Sequence, residues 1–121
     1  MPRLYSLLPE ALRNNIVPVK KTTSVGKSNS KTTTTIDKLF CFSEVEVFNE
    51  NKYSFEGEGK RYKFFEEDEY IKIFERAWLR SPSRGDSNSF CCVNSDGDYD
   101  YNLAVNSLDI VLGFCLTSKI C

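Results

Sequence analysis

Four oxygen-bearing side chains, Asn94, Asp96, Asp98 and Asp100, sit at every second position in the C-terminal third of the chain. Carboxylates are hard ligands, and calcium is the cation such a row would take. An EF-hand loop needs glycine at its sixth position and glutamate at its twelfth. Counted from Asn94, those positions hold Tyr99 and Val105; counted from Asp96, they hold Tyr101 and Ser107. The EF-hand is therefore excluded. Two readings stay open: a calcium site built from loops, and a polar hairpin whose carboxylates face water. The acidic run Glu66, Glu67, Asp68 and Glu69 reads as solvated surface. Arg84-Gly85-Asp86 spells an adhesion tripeptide, but three-residue matches arise often by chance.

Catalytic chemistry is hard to assemble. The chain has no histidine, so it lacks the usual general base near neutral pH and the commonest zinc ligand. The cysteines are Cys41, Cys91, Cys92, Cys115 and Cys121, with no C-x-x-C pair. Their odd number, with no export signal in the first ten residues, points to a reducing compartment. Most of them read as small core residues. On a strand, adjacent Cys91 and Cys92 would point to opposite faces, so one thiol would meet solvent. Carboxylates are plentiful, yet nothing in the spacing sets two of them across a cleft. Neither an enzyme nor a cofactor site is expected.

The remaining chemistry is recognition. Tyr99, Tyr101 and Phe90 lie among Asn88, Asp98 and Asn102, and tyrosine gives contact area at low entropic cost. The candidate ligand-binding residues are Arg84, Asp86, Asn88, Asp98, Tyr99, Asp100, Tyr101 and Asn102, and the expected partner is a protein or a glycan. The same mixture also suits an ordinary half-buried antiparallel sheet. With 16 Lys and Arg against 17 Asp and Glu, the net charge of -1 argues against a nucleic-acid partner. Lys20, Lys21, Lys27 and Lys31 form a local basic stretch that reads as a solvated loop. No apolar run approaches the roughly 18 residues of a membrane span.

The elements that must position these residues fit a single domain of 121 residues. Helical spacing of Leu4, Leu7 or Leu8, Ala11 or Leu12, and Ile16 predicts a helix over residues 4–15, with Pro9 in its first turn. Residues 16–19 read as a short edge strand containing Pro18. Residues 20–35 are polar and low in complexity, a flexible exposed loop or the tip of an extended hairpin. Ile36, Leu39, Phe40, Cys41 and Phe42 predict a buried strand. Ser43 and Glu46 have capping-box spacing, which starts a short helix at Glu44. Phe64, Phe65, Tyr70, Ile71, Ile73 and Phe74 predict a second main helix over residues 62–77. Asp96-Gly97 marks a hairpin turn between strands at 90–93 and 98–105, with Tyr99, Tyr101 and Leu103 on one face. Residues 110–116 read as a central strand, in which Gly113 implies a bulge or a close backbone approach.

Several segments together resemble an uncharacterised bacterial and phage domain family with a Trp-Leu-Arg-Ser-Pro signature. They include Ile16 to Lys21, Asp37-Lys38-Leu39-Phe40, Ser43 to Phe48, Gly57-Glu58-Gly59 with Tyr62, Trp78-Leu79-Arg80-Ser81-Pro82, Val93 to Gly97, and Gly113-Phe114-Cys115. That family is similar in turn to the formylglycine-generating-enzyme type of C-type-lectin-like fold. The resemblance implies α+β architecture: two helices packed on a small, mostly antiparallel sheet. It implies a strand leading into the helix start at Ser43 to Glu46, a late Arg-rich strand matched by Trp78 to Ser81, and a final Gly-Phe-Arg strand matched by Gly113 and Phe114. Cys115 stands where the enzymes carry arginine, and nothing matches their paired cysteines or metal site, so oxidase activity does not carry over. Members have more sequence before Leu8; against them the chain reads as N-terminally truncated, with a sheet edge open to pairing.

The expectation is thus a non-enzymatic binding module of bacterial or phage origin, cytoplasmic or on a phage particle. Its surface lies in residues 83–102, and the Asn, Asp, Ser, Tyr, Cys and Phe content of residues 83–106 is compatible with a diversified variable protein. Two alternatives stand beside it. One is a structural module within a larger assembly, using an exposed sheet edge; a homo-oligomer is among the partners considered. The other is a remote enzyme with a reactive Cys91 or Cys92.

Overall fold

The computed structural model describes residues 5–26, 31–85 and 87–117, with Asp68 as backbone only. Leu4, Lys27, Asp86 and Cys121, named above, lie outside the described residues. The chain is a small α+β domain in which short helices pack on mixed, mostly antiparallel strands.

Near the start, Tyr5 and Ser6 are helical, and a separate turn α1 spans Glu10–Arg13. The single helix expected over 4–15 is split at Pro9, which sits at the N-cap with ψ of 143°. Proline disfavours helical backbone in the residue before it, so the interruption falls at Leu8. Strands β1 (Ile16–Val17) and β2 (Val19–Ser24) follow. β2 pairs antiparallel with β3 (Thr32–Asp37) in register from Val19↔Asp37 to Ser24↔Thr32. The polar stretch is therefore an extended hairpin. Lys21 is not on a solvated loop; it is buried.

The strand expected over Ile36 to Phe42 is also two pieces. Ile36 lies near the end of β3 and is 74% exposed, whereas β4 is Phe40–Cys41, with Leu39 and Phe40 buried. Helix α2, Glu44–Phe48, forms as the capping box predicts. Ser43 Oγ accepts from Glu46 N, and Glu46 Oε1 accepts from Ser43 N at 2.9 Å. Asn49 closes the helix in the left-handed region, with φ of 61°.

The long helix expected over 62–77 is absent. In its place are a 3-10 turn at Lys63–Glu66, helix α3 at Asp68–Ile71, a second 3-10 turn at Lys72–Phe74, and then β5 at Ala77–Pro82. Only Phe65, Ile71 and Phe74 of the aromatic-aliphatic stripe are buried; Phe64, Tyr70 and Ile73 are exposed. Half the stripe therefore stays outside the core. Glu75 and Arg76 then take positive φ, which turns the chain into β5. That strand carries Trp78 to Ser81, where the family resemblance placed one.

β6 (Ser89–Val93) and β7 (Tyr99–Leu103) form the hairpin across Asp96-Gly97, with Cys91↔Tyr101 and Val93↔Tyr99 in register. The sheet order is β7-β6-β5-β8, and β8 (Asp109–Ile110) runs parallel to β5. The central strand expected over 110–116 breaks into β8, β9 (Leu112–Gly113) and β10 (Cys115–Leu116). β9 pairs with β4 and β10 with β1, each over two residues. Gly113 does make the close approach expected of it: a Cβ there would collide with the Phe42 ring. The core is Val47, Phe65, Ile71, Phe74, Ala77, Leu79, Cys91 and Val93. Cys91 and Cys92 point to opposite faces, yet both are buried. Cys92 lies on a central strand, flanked in register by Trp78 and Asp100.

Candidate functional site

Two polar regions stand out: an aromatic patch on the hairpin, and a charged network inside the fold. The patch begins with the period-two alternation of β7, which turns Tyr99 and Tyr101 to one face. There they meet Tyr53 from the loop after α2. The Tyr53 ring centroid lies 4.9 Å from that of Tyr101 and 6.0 Å from that of Tyr99. Phe48 supports Tyr99 at 5.1 Å, and Lys52 Nζ stands 4.7 Å over the Tyr99 ring. A hydrogen bond with Glu50 moves the Tyr99 hydroxyl above its ordinary pKa. Arg84 N donates to Tyr53 O at 2.6 Å, and its guanidinium donates to Lys52 O. Lys52, Tyr53, Ser83, Arg84, Gly85 and Tyr101 line a depression of about 380 Å³.

Of the residues singled out in the sequence, Arg84, Tyr99 and Tyr101 thus converge. Asp100 and Asn102 take the alternate positions of β7. Asp98 precedes the strand, beside a second depression it shares with Phe48 and Lys72. Asn88 lines a third depression with Phe90, Leu103 and Val105. Asp86 lies outside the described residues. Tyr53 and Lys52 were not foreseen, because they come from a loop that carries no aromatic periodicity.

The interior network was also missed. Glu46, the capping-box acid, holds two cations: Lys21 Nζ at 2.7 Å and Arg80 Nη1 at 2.5 Å. Lys21 also donates to the Tyr62 hydroxyl and stands 4.0 Å over the Phe40 ring. Burial alone would raise the Glu46 pKa, but hydrogen bonds from Arg80 and Lys21 outweigh it and hold the carboxyl below its usual range. The Arg80 guanidinium further donates to Thr22 O, Thr23 Oγ1, Cys41 O and Glu58 O.

Glu44 and Glu58 are fully buried carboxyls with neutral donors. Glu44 accepts from Tyr53 N, Ser54 N and Ser54 Oγ, which pins the loop bearing Tyr53. Glu58 accepts from Ser24 N and from Ser81 Oγ, and Ser81 Oγ accepts from Glu44 N. Burial pushes both carboxyls above their ordinary pKa. Burial also raises the thiols of Cys91 and Cys92, the latter to about 11, so few are thiolate at neutral pH. Among the described residues, no cluster of three or more Cys, Asp or Glu is arranged to hold a metal ion, and no helix is long and apolar enough to cross a membrane.

A family model described as Domain of unknown function (DUF6273) matches residues 3–118. No curated protein and no solved structure matches the chain.

Proposed function

We propose that this chain, which belongs to the DUF6273 family, is a non-enzymatic binding module that recognises a protein or a glycan through the Tyr53–Tyr99–Tyr101 patch and Arg84. The observation that carries this reading is the three-ring cluster beside a depression, with Tyr101 still 45% exposed. Rigid tyrosines on an anchored backbone lose little entropy on binding. Here the backbone is anchored on both sides of Tyr53: its N–H goes to Glu44, and its carbonyl takes the N–H of Arg84.

The lectin-like identity of the fold, its bacterial or phage origin and the diversification of the hairpin surface belong to the same proposal. A helix start at Ser43 to Glu46 after β4 and an Arg80-bearing β5 support the first of these. The enzyme alternative finds little support in the two deeply buried thiols.

Tyr101→Ala and Tyr53→Ala are the test, read on a glycan array and in pull-downs. Binding falls by at least about tenfold, the scale of a central aromatic contact. Tyr101→Ala leaves the melting temperature nearly unchanged. Signals that survive both substitutions would remove the patch from consideration.

A further inference from the structure

β7 is an edge strand of the four-stranded sheet. Among the described residues it has one neighbour in its sheet, β6. Ala104 N, just beyond the strand, donates to Asn88 O on the β6 side. Backbone direction alternates along a strand, so Asp100 and Asn102 turn their N–H groups the same way. The N–H groups of Tyr99, Tyr101 and Leu103 therefore face the open edge. An open edge of this kind is a template for another strand.

These three outward groups are already occupied. Tyr99 N donates to Asp98 Oδ1 at 2.9 Å, Tyr101 N to Asp100 Oδ1 at 2.8 Å, and Leu103 N to Asn102 Oδ1 at 2.9 Å. Each edge donor is taken by the side chain of the residue before it. Asp98 and Asp100, two of the four residues in the alternating row, thus each give an oxygen to the strand edge. Short Asp and Asn side chains are suited to it, because they reach neighbouring backbone without leaving the strand.

We propose that Asp98, Asp100 and Asn102 are edge guards that keep β7 closed to strand addition, and that the partner they exclude is a second copy of this chain. The register of that excluded pair follows from the strand itself. Two β7 strands set antiparallel about Tyr101 would align Tyr101 with Tyr101 and Tyr99 with Leu103. The same three outward N–H groups would then meet carbonyls of the copy in hydrogen-bonded pairs, with Leu103 O, which already accepts from Asn106 N at 3.0 Å, taking a second donor on its other lone pair. Aromatic and aliphatic side chains would oppose one another on one face, which favours pairing. Asp100 would oppose Asn102 on the other, so no aspartate directly faces its copy. Unguarded, this edge is self-complementary.

Light scattering and sedimentation over a range of concentrations test the proposal. Asp98→Ala, Asp100→Ala and Asn102→Ala combined should raise self-association by at least about tenfold over the native chain. Adding Tyr101→Pro, which deletes the central edge N–H, should return the triple variant to the native level. Asp98→Asn with Asp100→Asn keeps the acceptor oxygens and removes the charge, and should stay at the native level. Far-UV circular dichroism and melting curves establish that each variant is folded before its mass is read. An alanine variant that is folded yet no more associated than the native chain overturns the proposal. So does an asparagine variant that associates as readily as the alanine one, since charge repulsion would then be what closes the edge. A native chain already paired through β7 overturns it as well.

Discussion

The interior network and the hairpin edge both devote carboxylates to backbone N–H groups, yet under opposite conditions. Glu44, Glu46 and Glu58 are buried, and their donors include groups from distant segments. Asp98 and Asp100 lie toward solvent, and each accepts from the next residue along. In the first region a lost carboxylate strands charges and donors in low dielectric. In the second, water takes over the vacated bond. The burial of an acidic residue in this sequence thus decides how much it matters to stability.

The largest contrast is expected at Glu46. Glu46→Gln keeps the volume but leaves Lys21 and Arg80 without their counter-charge, a loss of about 3–5 kcal/mol. Urea denaturation measures it; a cost under about 1 kcal/mol, the scale of an exposed pair, would erase the distinction between the regions. A pH effect comes next. The folded pKa values of Glu44 and Glu58 are raised, so their contribution is complete below the ordinary carboxyl range and is lost as pH rises through the folded values. Glu46 is lowered, so its contribution holds above that range and is lost as pH falls through its folded value. Glu58→Gln should therefore remove part of the stability lost between acid and neutral pH. Melting temperatures across that interval check the sign, and an unchanged slope would place the dependence elsewhere. The smallest effect belongs to the hairpin: Asp100→Ala should change unfolding free energy by no more than about 0.5 kcal/mol.

What could be read in the sequence was local. Ser43 and Glu46 stand three apart, and Asp96-Gly97 is a two-residue turn signal, so helix α2 and the β6–β7 hairpin follow from neighbours alone. The Gly113 contact was legible because a glycine inside an apolar run gives up side-chain burial, and a close approach or a bulge is what requires that. The broken helix at 63–74 was not legible. Its apolar residues have helical spacing, and only the exposure of Phe64 and Ile73 in the folded chain shows that the spacing serves short turns. The network was out of reach for another reason. Lys21, Glu46, Glu58 and Arg80 are far apart in sequence, and polar residues leave no trace in hydrophobic periodicity. In the patch, Tyr99 and Tyr101 were visible as an alternating pair, while Tyr53 joins them only through the tertiary fold.

The planar end of Arg80 has a consequence for how the chain opens. It grips Thr22, Thr23, Cys41, Glu46 and Glu58 at once, so these points on separate segments are released together or not at all. Amide hydrogens at that end of the β2–β3 ribbon should exchange only through global unfolding, at one common rate with those of β5. Ser24, next along the ribbon, is tied to the same network through its N–H, which donates to Glu58 Oε2 at 2.8 Å.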